Sequence, residues 1–139
     1  METIKEIQEE IIEDFEMFDD WMQKYEFLID LGKELTPIEE QYKIEDNLIK
    51  GCQSRVWLHA EEKNGSIVYS ADSDAIMTKG IIAILLRVLS NQKSEDIINA
   101  DLSFIDEIGL KEQLSATRAN GLVSMIKKIK LFALALRKR

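Results

Sequence analysis

Apolar residues recur at three- and four-residue steps at the start of the chain, at Ile4, Ile7, Ile11, Phe15, Phe18 and Met22, with Glu and Asp between them. That spacing predicts an amphipathic helix with an acidic outer face. A second helix is predicted over residues 20–34, burying Trp21, Tyr25, Leu28, Ile29 and Leu31; Gly32 lies near its end and Thr36-Pro37 stops it. The period then shortens to alternation. Val56, Leu58 and Ala60 point one way and Arg55, Trp57 and His59 the other. Asn64-Gly65 is a strong hairpin signal, and Ser66 to Ser70 reads as the returning strand. A third short strand is predicted over residues 45–49.

Ser73 and Asp74 can cap a helix running from Ala75 through Leu89, apolar nearly all round and therefore central. Gly80 in its middle costs about 1 kcal/mol relative to Ala, which predicts a close backbone approach there. A short helix over residues 94–98, capped by Ser94, follows. Thr117 opens a last helix with Leu122, Met125, Ile126, Ile129 and Phe132 on its buried stripe. The fold class is α+β, a small antiparallel sheet of about three strands packed against helices, in a single domain over residues 1–139.

Composition sharpens this picture. Of 139 residues, 45% are hydrophobic and 32% charged, enough apolar material for a core and unlike a disordered chain. One cysteine excludes an internal disulfide framework and, with a single histidine, argues against a bound metal. The net charge of −8 argues against a nucleic-acid partner. Its distribution is uneven: residues 1–46 carry 16 acidic and 4 basic side chains, whereas from Arg118 onward there are seven basic and no acidic ones. The simplest reading is an acidic helical face beside a basic terminal helix; a basic helix that docks on a charged partner is the sharper one. The acidic start, METIKEIQEE, lacks the apolar core of a secretory signal, and the apolar runs are too short to span a bilayer. The expectation is a cytoplasmic protein with no membrane association.

Cys52 sits in Gly51-Cys52-Gln53-Ser54-Arg55, between two strand-like segments. Gly51 permits a tight turn, Gln53 and Ser54 are too polar for a core insertion, and Lys50 and Arg55 would favour a thiolate if they face it. A binding adaptor in which Cys52 is merely packed stays open beside the reactive reading. A thiol hydrolase would need a histidine base, and His59 lies on the outward face of a strand leading away from the loop. Asp74 and Arg118 each start a predicted helix; Arg118 is poorly placed for the helix dipole, which suggests a specific acceptor for it. Asn120-Gly121 interrupts the first turn of the last helix and implies a backbone constraint.

Three segments, GCQSRVW at 51–57, DSDA at 72–75 followed by Lys79-Gly80, and LSATRANGL at 114–122, resemble the SufE-like sulfur-acceptor family in order and spacing, as does YEFLIDLGKEL at 25–35. The resemblance spans about residues 15–128 and departs from the family where Ala116 replaces a frequent proline. It implies the fold shared with IscU-type scaffolds and a non-enzymatic sulfur carrier in iron–sulfur cluster assembly. Cys52 would accept sulfur from a cysteine desulfurase, SufS-like or CsdA-like, stimulate it, and deliver the sulfur to a SufBCD-like scaffold. No cofactor is expected on this chain; the pyridoxal phosphate belongs to the desulfurase. Gly51, Gln53 and Ser54 would form the loop, with Asp74 and Arg118 as a pair shaping it. Ile49 and Val56 would pack the thiol when tucked.

Overall fold

The computed structural model describes residues 2–137. Helix α1 (Ile4–Glu16) opens with a capping box in which the Thr3 hydroxyl accepts from the Glu6 N–H and the Glu6 carboxylate accepts from the Thr3 N–H, both at 3.1 Å. Its Ile7, Ile11 and Phe15 are buried. Helix α2 (Trp21–Lys33) starts from Asp20, whose carboxylate accepts from the Gln23 N–H at 2.9 Å. Met22 was expected on the buried stripe of the first helix but lies in the first turn of α2 and is 68% exposed. The break between the two helices resets the helical phase.

Strands β1 (Val56–Lys63) and β2 (Ser66–Ser73) form an antiparallel hairpin across Asn64 and Gly65, both at positive φ (52° and 86°) as a two-residue turn requires. Val56, Leu58 and Ala60 share the buried face with Ile67, Tyr69 and Ala71. The third strand is not at residues 45–49. It is β3 (Gln92–Lys93), paired antiparallel with the start of β2 to give the order β1-β2-β3. Glu45–Asn47 is instead a 3-10 turn, because the Asn47 side chain donates to the Tyr42 carbonyl at 2.8 Å and curls the backbone. Leu48 forms an isolated bridge to Trp57 of β1.

Helix α3 (Ile76–Leu89) packs against β2, α1 and α2 and is buried over most of its length, although Ile76 in its first turn is exposed. Its crossing with α2 is the close approach that Gly80 implied: a Cβ on Gly80 would stand 2.5 Å from the Leu28 carbonyl oxygen. Ser94 is the first residue of α4 (Ser94–Ile98), not its cap; Lys93 holds the cap position without a side-chain bond. Two single turns, α5 (Phe104–Glu107) and α6 (Leu110–Gln113), lead to α7 (Ala116–Ala135), capped by the Ser115 hydroxyl on the Arg118 N–H. Leu122, Met125 and Ile129 of α7 are buried, with Ile126 and Phe132 half-buried beside them. The Tyr69 hydroxyl donates to the Ile129 carbonyl at 2.7 Å, tying sheet to helix. Among the described residues, no helix is long and apolar enough to cross a membrane.

Candidate functional site

The segment that leads into β1 lies on α7. Gly51 has φ +94°, a conformation that side chains rarely adopt, and a Cβ there would stand 2.5 Å from the Ser124 hydroxyl oxygen. Glycine at 51 thus serves both the turn and the contact. The turn aims Cys52 at α7, where its Sγ lies 3.7 Å from the Gly121 carbonyl oxygen, within reach of a weak S–H donor. A Cβ on Gly121 would be 3.4 Å from that sulfur. Asn120-Gly121 implied a backbone constraint, but Gly121 has helical backbone, that Cβ would stand at an ordinary contact distance, and α7 runs through unbroken.

The thiol faces a cavity of about 40 Å³. Gln53 and Ser54 line it from the loop, Thr78 and Ile81 from α3, and Thr117, Arg118 and Met125 from α7. Ile49 and Val56 were expected to pack the thiol; both are buried in the core, and the walls of the cavity come from α3 and α7 instead. Burial pushes the Cys52 thiol above its ordinary value. Burial is the cause of the shift, and Lys50 and Arg55 do not line the cavity.

Asp74 does not cap α3. Its carboxylate accepts from the Arg55 N–H at 3.1 Å, and its own N–H donates to the Arg55 carbonyl at 3.3 Å, so it clasps the downstream end of the Cys52 loop. The cap position of α3 falls to Ala75, whose N–H donates to Ser73 Oγ. Asp74 and Arg118 form no ion pair among the described residues; they bear on the site from different sides. Below the loop, Asp72 bridges Lys43 at 2.9 Å and Lys79 at 3.3 Å. Burial alone would raise the Asp72 carboxyl, but the hydrogen bonds from Lys43, the Ser73 N–H and Lys79 hold it below the usual carboxylate range.

His59 is not solvated as its strand position implied. It stacks on Tyr42, ring centroids 3.6 Å apart and 9° from parallel, and its Nε2 lies 3.1 Å from a Glu61 carboxylate oxygen. It does not line the cavity of Cys52. Among the described residues, no three His, Cys, Asp or Glu side chains are grouped to hold a metal ion. Sequence reasoning missed Ser124, Thr78 and Met125. Met125 lies one helical turn beyond Gly121, and Thr78 is an uncharged polar residue in an otherwise largely apolar helix, so both left a trace. Ser124 left none.

Comparison with known proteins bears on this site. The SufE family, described as an Fe-S metabolism associated domain, matches residues 9–133. The chain is 40% identical over 131 residues to SufE-like protein 1, chloroplastic/mitochondrial, of Arabidopsis thaliana, covering 92% of this chain and 35% of that protein. It thus spans about a third of the plant protein. An uncharacterized SufE-like protein of Rhizobium meliloti is 39% identical over 127 residues, covering 88% of this chain and 91% of that one. The solution structure of a hypothetical protein from Thermus thermophilus superposes with a TM-score of 0.78 at 17% identity, over 94% of this chain and 95% of that chain, a likeness of fold.

Proposed function

The chain belongs to the SufE family, and from that premise we propose that it is a sulfur acceptor in iron–sulfur cluster assembly, with Cys52 as the accepting group. The observation that carries the reading is the setting of Cys52. The sole thiol of the chain sits half-buried on a glycine-turned loop, facing a cavity of about 40 Å³. That volume exceeds what one water molecule needs, and it is of the right order for one added sulfur atom.

The chemistry suits a lone thiol. The Cys52 thiolate attacks the outer sulfur of a persulfide on a cysteine desulfurase. The bond from Cys52 to that sulfur forms, the S–S bond of the donor breaks, and the donor cysteine leaves as a thiolate. The proton lost by Cys52 and the one regained by the donor balance, and no oxidant is consumed. Pyridoxal phosphate, which makes the persulfide, resides in the donor enzyme. No imidazole is required, in keeping with His59 being engaged with Tyr42 and Glu61. In-line attack needs an exposed sulfur, so the loop swings out to react and returns to shelter the persulfide before delivery to a scaffold.

Half-burial of Cys52 also fits an adaptor in which the thiol is only packed. Intact mass spectrometry after incubation with a SufS-like desulfurase and L-cysteine separates the two. One added sulfur on the wild type and none on Cys52→Ser is expected. A wild-type chain that gains no sulfur, or a Ser variant that gains as much, would overturn the proposal.

A further inference from the structure

The described cations of the basic end are only partly engaged within the fold: Arg137 pairs with Glu95 at 3.6 Å. Helix α7 carries no acidic residue. Lys130 donates to the Ala100 carbonyl and Lys128 lies over the Phe132 ring, but the side chains of Arg118 and Lys127 make no hydrogen bond or ion pair among the described residues. Val123, Lys127, Leu131 and Leu134 fall at helical spacing on the exposed side of α7, with Leu131 60% exposed. This ridge borders the Cys52 loop directly. Lys50, Ser124, Lys127 and Leu131 line a groove of about 440 Å³, and Gly51, between Lys50 and Cys52 in the chain, approaches Ser124.

Lys50, Arg55, Arg118, Lys127 and Lys128 surround the loop; the carboxylates nearby are Glu45 and Asp46, which line the groove, Asp74, which accepts from the Arg55 backbone N–H, and Asp72, which is paired with Lys43 and Lys79. The neighbourhood is net positive in a chain of net −8. We infer that the ridge of α7, with Lys127 and Leu131 at its centre, is the docking surface for the sulfur donor, and that it fits an acidic, partly apolar patch beside the donor's persulfide cysteine. The inference rests on the sulfur-acceptor reading and adds to it the face and the charge of the partner. A basic rim steers an acidic partner while Leu131 supplies contact area, and a partner seated there touches Lys50, two residues before Cys52.

The test is binding of this chain to a SufS-like desulfurase whose persulfide-forming cysteine is replaced by serine, measured between low and high salt. Lys127→Glu combined with Leu131→Ser is expected to weaken binding about tenfold at low salt and to flatten its salt dependence. Lys33→Glu, on α2, should change neither. The double variant should keep the wild-type melting midpoint and Cys52 alkylation rate; if it does not, Lys127→Gln and its salt slope decide instead. Equal affinity and equal slope for the variants, with sulfur still taken up from the active desulfurase, would overturn the docking surface and leave the sulfur-acceptor reading standing. A wild-type chain that neither binds nor accepts sulfur would remove both. Sedimentation of the chain alone supplies the third result that overturns the inference: a dimer dissolved by the double variant would make the occupant a second copy, through its acidic N-terminal face.

Discussion

At the crossing of α2 and α3 a Cβ on Gly80 would stand 2.5 Å from the Leu28 carbonyl oxygen, whereas beneath the Cys52 loop a Cβ on Gly51 would stand 2.5 Å from the Ser124 hydroxyl. The distances match; the neighbours do not. Around Gly80 the next atom is the Leu28 carbonyl carbon at 2.9 Å, and Gly32 approaches the Gly80 backbone from the other helix, so backbone meets backbone on both sides. Around Cys52 the contacts are a serine hydroxyl, a weak S–H bond of 3.7 Å and a small cavity. A backbone carbonyl inside a helix cannot move without breaking the helix, while a hydroxyl rotates and a thiol can leave. The first region is a joint and the second is a releasable seat.

The largest expected effect separates the two regions by function. Cys52→Ser should abolish sulfur acceptance from a desulfurase while changing stability by less than about 1 kcal/mol, since serine can make the same bond to the Gly121 carbonyl. Urea unfolding beside the sulfur-uptake assay checks both halves. A variant that fails to fold would mean that the seat is part of the core after all.

Gly80→Ala should do the reverse. The added methyl forces α2 and α3 apart, and overpacking of this kind costs about 2 kcal/mol even after the gain in helix propensity. The urea midpoint should fall while the folded fraction still accepts sulfur at the wild-type rate. An unchanged midpoint would show that the crossing is looser than the Leu28 contact implies.

The seat can also be read through pH. Because burial raises the Cys52 thiol, less thiolate is present at neutral pH than for a free cysteine, whose pKa is about 8.5. Alkylation should therefore be several-fold slower than for a small-molecule thiol at the same pH, with its midpoint displaced upward. Docking of the cysteine-less desulfurase should bring the midpoint down and the rate up. A free chain that alkylates as fast as a small thiol has no tucked state.

The joint was more legible in the sequence than the seat. Helical periodicity exposed α1, α2 and α7 because each buries one stripe over three turns or more, the long apolar run of α3 marked it as central, and Gly80 within it pointed to the crossing. Asn64-Gly65 placed the hairpin. Two-residue β3 and four-residue α5 and α6 are too short to carry a period, and residues 45–49 curled because a side chain, Asn47, outbid the alternation by bonding the Tyr42 backbone. At the seat, Cys52 stood out as the only thiol behind a glycine, but its walls come from α3 and α7, distant in sequence and brought in by packing alone. Asp74 had the residue type and position of a helix cap, and the fold spends it on the Arg55 N–H instead.

The smallest effect tests the comparison most directly, because it makes the substitution of the joint inside the seat. Gly121 has ordinary helical backbone, so alanine there carries no strain, and its Cβ would meet Cys52 Sγ at 3.4 Å and Cys52 Cα at 3.7 Å, ordinary contact distances. Glycine within a helix costs up to about 1 kcal/mol relative to alanine, and part of that should be recovered. Gly121→Ala is expected to raise stability by about 0.5 kcal/mol, opposite in sign to Gly80→Ala. The same methyl narrows the space behind the sulfur, so the loop should spend more time outward and Cys52 should alkylate somewhat faster at fixed pH. Urea midpoints at unchanged slope measure the first and alkylation kinetics the second. If Gly121→Ala destabilises as much as Gly80→Ala, the wall of the seat is as rigid as the joint, and the sulfur is held by packing it cannot leave.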